Sequence, residues 1–140
     1  MNAIIGIDPD TNESGVSAFS DGIYTADSMI FPRLIGYLTA CKPHIKQVRI
    51  SAGWLNKSNY NAKGQSPMVA ARIGQHTGAN HQVGKIIAEF CEYHSIPYKL
   101  FKPTVSKPTA AFIKQATGIW LPNKTGKHSE MRDALMLCLG

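Results

Sequence analysis

The sequence predicts an α/β fold on a five-stranded mixed sheet. Three observations carry that prediction: an isoleucine-rich run near the start, a hairpin signal at Asp21-Gly22, and later apolar runs that alternate between strand and helix periodicity. With 140 residues the chain is expected to form a single domain, residues 1–140, large enough to bury a core.

Ala3 to Asp8, with isoleucines at 4, 5 and 7, reads as a buried strand. Pro9, Asp10, Asn12 and Gly15 mark a turn, and Val16 to Phe19 reads as a second strand. Asp21-Gly22 is a pair that two-residue hairpins favour, so a third strand is expected from about Ile23. Ile30 to Ala40 carries Leu34, Ile35 and Leu38 at helical spacing; Pro32 is tolerated in the first turn and Pro43 ends the element. Val48 and Ile50 alternate with Arg49 in a fourth strand over Gln47 to Ala52. Residues 53–66 have loop composition. A stripe of Val69, Ile73, His76, Asn80, Val83, Ile87 and Phe90 predicts a long helix, which Gly74, Gly78 and Gly84 weaken enough to expect a break near Gly78. Tyr98 to Phe101 is a fifth strand, and Thr109 to Thr117 a helix stopped by Gly118. Ser129 to Leu139 is a last helix, with Ser129 as N-cap and Met131, Ala134, Leu135 and Cys138 on one face. Three antiparallel strands, then two parallel ones, flanked by helices, is the order of RNase H-like folds.

Charge points to a polyanionic partner. The net charge is +6, and fourteen of the fifteen Lys and Arg residues fall in two stretches without any carboxylate, between Asp27 and Glu89 and between Glu92 and Glu130. Each phosphate that such residues neutralise releases condensed counterions. No apolar run reaches the ~20 residues of a membrane helix, and the opening MNAIIGIDPD lacks the basic region of a signal peptide. Cys41, Cys91 and Cys138 sit singly in apolar segments without C-x-x-C spacing, so buried free thiols in a reducing, cytoplasmic compartment are expected.

Asp8 ends the first strand, where a side chain emerges beside a turn; alone, it reads equally as a turn-initiating Asp before Pro9. Glu130 and Asp133 stand three apart on the last helix and share a face, a spacing that also suits two solvent-facing acids near a helix N-terminus. The set is harder to dismiss than its members, because an RNase H-like sheet brings its first strand and last helix together.

The motifs IIGIDPDTNESGV at 4–16 and HSEMRDALMLC at 128–138 resemble the opening strand and final helix of RuvC-type Holliday junction resolvases. The strand at 47–52, the WLNKSN loop at 54–59 and GANHQVGKIIAEFCEY at 78–93 fit the interior, and the pattern is most similar to small phage-type members. The resemblance implies that Asp8, Glu130 and Asp133 are catalytic metal ligands. The ions would be Mg2+, with Mn2+ as a substitute, as two ions ~4 Å apart that suit hard oxygen donors. It implies endonuclease cutting of branched DNA by a homodimer, whose two-fold symmetry matches paired nicks, in a bacterial or phage-infected cytoplasm. It also implies a glutamate at the end of the fourth strand. Ser51 stands there, so weakened metal binding is expected, with Asp10 or Glu13 the nearest carboxylates to compensate.

In the loop after that strand, Asn56, Lys57 and Asn59 are candidate phosphate contacts, with a solvated lysine as the plainer reading. Trp54 either stacks on a base or, as preferred, anchors the loop. His128 reads as a helix-start histidine or a neighbour of the site, while His76 and Asn80 face a partner subunit or the core. Two other classes compete. Actin-like kinases need a second domain for which the chain has no room, whereas a catalytically inactive module that binds branched DNA accommodates both Ser51 and the basic charge.

Overall fold

The computed structural model describes residues 2–56, 66–103 and 106–140. β1 (Ala3–Asp8), β2 (Ser14–Ser20) and β3 (Ile23–Met29) form an antiparallel meander. The turn between β2 and β3 places Asp21 and Gly22 both at positive φ, 52° and 78°, the backbone of the hairpin turn that the dipeptide predicts. α1 (Phe31–Cys41) crosses to β4 (Ile45–Ser51), which pairs parallel with β1. α2 (Pro67–Tyr93) then crosses to β5 (Tyr98–Phe101), parallel to β4. The sheet order is β3-β2-β1-β4-β5, and α3 (Ala110–Thr117) and α4 (Lys127–Leu139) complete the chain.

Alternation along the strands sorts residues between two layers. Ile5, Ile7, Val16, Val48 and Ile50 point to one face, where they bury with Leu34 and Leu38 of α1 and Ile87 and Cys91 of α2. Gly6, Asp8, Gly15, Ser17, Arg49 and Ser51 belong to the opposite face, which α4 covers. A second cluster there joins Ile113 of α3 and Leu121 to Met131 and Leu135 of α4. Full burial of an Ile or Leu is worth about 1.5–3 kcal/mol. A one-residue slip of β1 would drive Ile5 and Ile7 against the backbone of α4 and Asp8 into the apolar core, so the register is held.

Three local expectations need correction. α2 runs unbroken past Gly78. A glycine costs about 1 kcal/mol in a helix interior, but Ser66 caps the start by accepting from Val69 N, and Ile87 and Cys91 anchor the far half in the core. The buried side of α2 also passes through Gly84 and Cys91, while His76 is exposed. α4 begins at Lys127, not Ser129, because Gly126, at φ 73°, turns the chain in and accepts the first helical bond from Glu130 N at 3.1 Å. All three cysteines are free, with Cys91 and Cys138 buried and Cys41 half-exposed. Among the described residues no helix is long and apolar enough to cross a membrane.

Candidate functional site

The position of α4 is set by what the sheet lacks. A β-carbon on Gly15 would collide with the backbone carbonyl of Glu130, and one on Gly6 with that of Ala134. The helix therefore rests directly on the β1–β2 backbone. Ser17 Oγ donates to Ala134 O at 2.6 Å, and Arg49 Nη1 donates to Leu137 O at 2.9 Å, fixing the helix at two points. This docking carries Glu130 and Asp133 to the carboxyl end of β1, where Asp8 emerges.

The acids crowd together, Asp8 beside Asp133 and Glu130 beside Asp10. Asp8 is pushed up from 3.8 to about 7, first by burial and then by the charge of Asp133, with Lys107 pulling the other way. Glu130 is pushed up to about 8, again first by burial, then by its hydrogen bond to Asp10 and the surrounding carboxylates. Like charges at this range cannot all ionise without a counter-charge. The one cation paired with the cluster among the described residues is Lys107, whose Nζ lies 2.6 Å from Asp133 Oδ2.

Asp10 is held by its own turn. Its amide donates to Ser14 Oγ at 3.1 Å, and its Oδ1 accepts from Asn12 N at 2.8 Å, an Asx-turn. Thr11 N donates to Asn80 Oδ1 at 3.0 Å, so α2 grips the turn from outside. Beside the acids runs a cleft of about 270 Å3 bounded by Asp8, Ser51, Lys107 and Asp133, with Phe101 and Met136 on its apolar wall. Ser51 follows Ile50, the partner of Ile7, and so lies level with Asp8 on the same face.

The structure thus brings Asp8, Glu130 and Asp133 together and adds Asp10. Among the described residues, no three His, Cys, Asp or Glu side chains already converge on one ion-sized point. The donor set nevertheless fits a hard divalent cation: every donor is a carboxylate oxygen, and burial with mutual repulsion pushes Asp8 and Glu130 upward, which positive charge at the cluster would relieve. Asp8 and Asp133 would hold such an ion, with Glu130 and Asp10 beside them.

Asn56 follows a short 3-10 turn, its amide donating to Gly53 O at 3.1 Å; Lys57 and Asn59 lie outside the described residues. Trp54 anchors its loop, packing on the core with the His81 ring edge-on at 6.1 Å and the Lys85 ammonium 5.9 Å from its centroid. His128 sits in the first turn of α4, its Nδ1 buried without a hydrogen-bond partner among the described residues. Sequence reasoning missed Lys107, counted only as one of the basic residues; the prolines at 103 and 108 in KPTVSKP were the available hint of a rigid presentation. It also expected Asn80 to face a partner subunit or the core, not to hold the turn at Thr11.

The sequence matches no protein-family model and no curated protein. Solved structures do match. One is Thermus thermophilus RuvC in complex with a Holliday junction substrate, at TM-score 0.56 and 14% identity over 99% of this chain and 91% of that one. Another is Thermus thermophilus RuvC, at TM-score 0.50 and 14% identity over 98% and 91%. At this identity the likeness is one of architecture: the chain has the RNase H-like α/β fold of RuvC, with its mixed five-stranded sheet flanked by helices.

Proposed function

We propose that the chain is a metal-dependent endodeoxyribonuclease that nicks Holliday junctions or other branched DNA, with Mg2+ or Mn2+ held by Asp8, Glu130 and Asp133. One observation carries the reading: Asp8 of β1, Asp10 of the turn after it, and Glu130 and Asp133 of α4, far apart in sequence, crowd together at the carboxyl end of the central strand. That arrangement costs stability in the empty protein, which is the mark of a site selected for its chemistry. Bound there, a divalent ion supplies Lewis acidity and an activated water for phosphodiester cleavage. The chain's own part is to hold the acids on a rigid helix and strand, and to present Lys102 and Lys107 to phosphate at the cleft. The loop with Asn56, Lys57 and Asn59 would add backbone contacts. The solved structure of RuvC in complex with a Holliday junction substrate lends support by fold alone.

A homodimer suits paired nicks on a two-fold junction. α2, with exposed Met68, Val69 and Ile86, is the surface for it. The small phage-type members of the family are the proposed subtype, and the cytoplasm of a bacterium or a phage-infected host the proposed compartment. A second reading, a module that binds branched DNA without cutting it, draws on Ser51, a neutral hydroxyl where the resemblance implies a glutamate.

The test is a four-way junction incubated with the chain and Mg2+ or Mn2+. Nicking that EDTA abolishes, and that Asp8→Asn removes, supports the nuclease. Retarded junction on a gel with no nicked product under either metal leaves only the binding module.

A further inference from the structure

Lys107 holds a place that an ordinary surface lysine does not. It stands immediately before Pro108 and the Thr109 cap of α3, whose Oγ1 accepts from Phe112 N at 3.1 Å, so its backbone is fixed by the start of that helix. Its ammonium is 2.6 Å from Asp133 Oδ2 and borders the same cleft as Asp8 and Ser51. Ser51 stands where a second ion would need a carboxylate and brings no charge.

We propose that Lys107 is a resident cation of this site, its ammonium standing in for a second divalent ion, so that the chain binds one ion and not two. The inference rests on the nuclease reading and narrows its cofactor requirement. Charge balance supports it. One divalent ion together with the ammonium brings three positive charges to the four carboxylates Asp8, Asp10, Glu130 and Asp133. Two ions with the ammonium would bring five, and the second would sit beside a neutral hydroxyl and against the ammonium. Like charges so close in a partly dry cleft repel strongly. The ammonium has a second use that an ion there would share: it carries positive charge to the phosphate while Asp133 orients it.

The experiment is Mn2+ binding without DNA, followed by calorimetry and by the electron-spin signal of free Mn2+, on the intact chain, Lys107→Met, and Lys107→Met combined with Ser51→Glu. Lys107 is 60% exposed, so methionine is tolerated there without loss of fold, and thermal melting checks this. The expected result is one Mn2+ per chain in the parent. Lys107→Met should take its ion about ten-fold more tightly, because Asp133 is released, yet nick junctions about ten-fold more slowly, roughly 1.4 kcal/mol of barrier. Opposite changes in affinity and rate are not produced by a structural lysine. The double variant should bind two ions. Two ions in the parent, or one in the double variant, would overturn the resident-cation role while leaving the nuclease reading intact. No binding in the parent up to millimolar Mn2+ would sink both.

Discussion

Asn80 on α2 accepts the backbone N–H of Thr11 at 3.0 Å, so the longest helix of the molecule steadies the turn that presents Asp10 to Glu130. The bond is exposed. Asn80→Ala should therefore cost little stability, about 1 kcal/mol or less, and slow junction nicking several-fold by loosening Asp10. Melting curves and single-turnover nicking with saturating Mg2+ would check this. A rate equal to the parent's would show that the turn needs no outside support.

The raised carboxylates make the metal-free protein sensitive to pH. In the unfolded chain Asp8 loses its proton near 3.8, and in the folded chain near 7; for Glu130 the values are 4.5 and about 8. Between those limits the folded protein keeps protons that the unfolded chain has released. Their stabilising contribution is complete below about pH 4 and is lost as pH rises through about 7 to 8. In EDTA, Asp8→Asn should therefore gain stability relative to the parent as pH rises across this window, by up to about 4 kcal/mol at pH 8. Denaturant melts at pH 4.5, 6 and 8 read the difference directly. A constant difference would mean that Asp8 titrates as an ordinary surface acid.

Gly15→Ala tests the seat of α4. The added methyl would meet the Glu130 carbonyl, which is backbone and cannot rotate aside. The helix must lift, at a cost of about 1–3 kcal/mol, and a fall of several degrees in melting temperature is expected. Mn2+ affinity should drop further than the stability loss explains, since Glu130 and Asp133 move away from Asp8. Unaltered Mn2+ affinity in the folded variant would show that the acids do not depend on this contact.

Asp133→Asn removes one charge from a mutually repelling group and keeps its shape. Nicking should fall by about a hundred-fold or more, roughly 2.7 kcal/mol of barrier, with junction affinity equal or higher and no loss of melting temperature. Gel retardation beside the nicking assay separates the two effects. Weakened junction binding would assign Asp133 to DNA contact through Lys107 in place of ion binding.

Local chemistry made much of this legible before any coordinates. β1 and β5 have the bounds that their apolar runs predict, the hairpin follows from Asp21-Gly22, and Gly118 stops α3. Asp8, Glu130 and Asp133 were singled out by the resemblance, because a strand-end Asp and an i, i+3 pair of acids are ambiguous by themselves. What escaped depends on partners distant in sequence. The continuity of α2 past Gly78 is decided by a core anchor beyond the glycine, not by the glycine. Lys107 and Asn80 acquire their places only through Asp133 and Thr11, partners distant in sequence. The start of α4 was misplaced because a glycine at positive φ can begin a helix without a side-chain cap.

The clamp between Ser17 and Ala134 joins residues 117 apart in sequence, and this gives the site a place in time. Such a contact closes a long loop, and closures of that kind form late in folding. The meander, with its local hairpin, is able to form early; α4 must wait for the sheet that receives it. Until it docks, Asp8 faces neither Glu130 nor Asp133. If the chain is the nuclease proposed above, a half-folded copy would display its lysines to DNA with no means of cutting it. Assembly of the acids and completion of the fold would then be a single event.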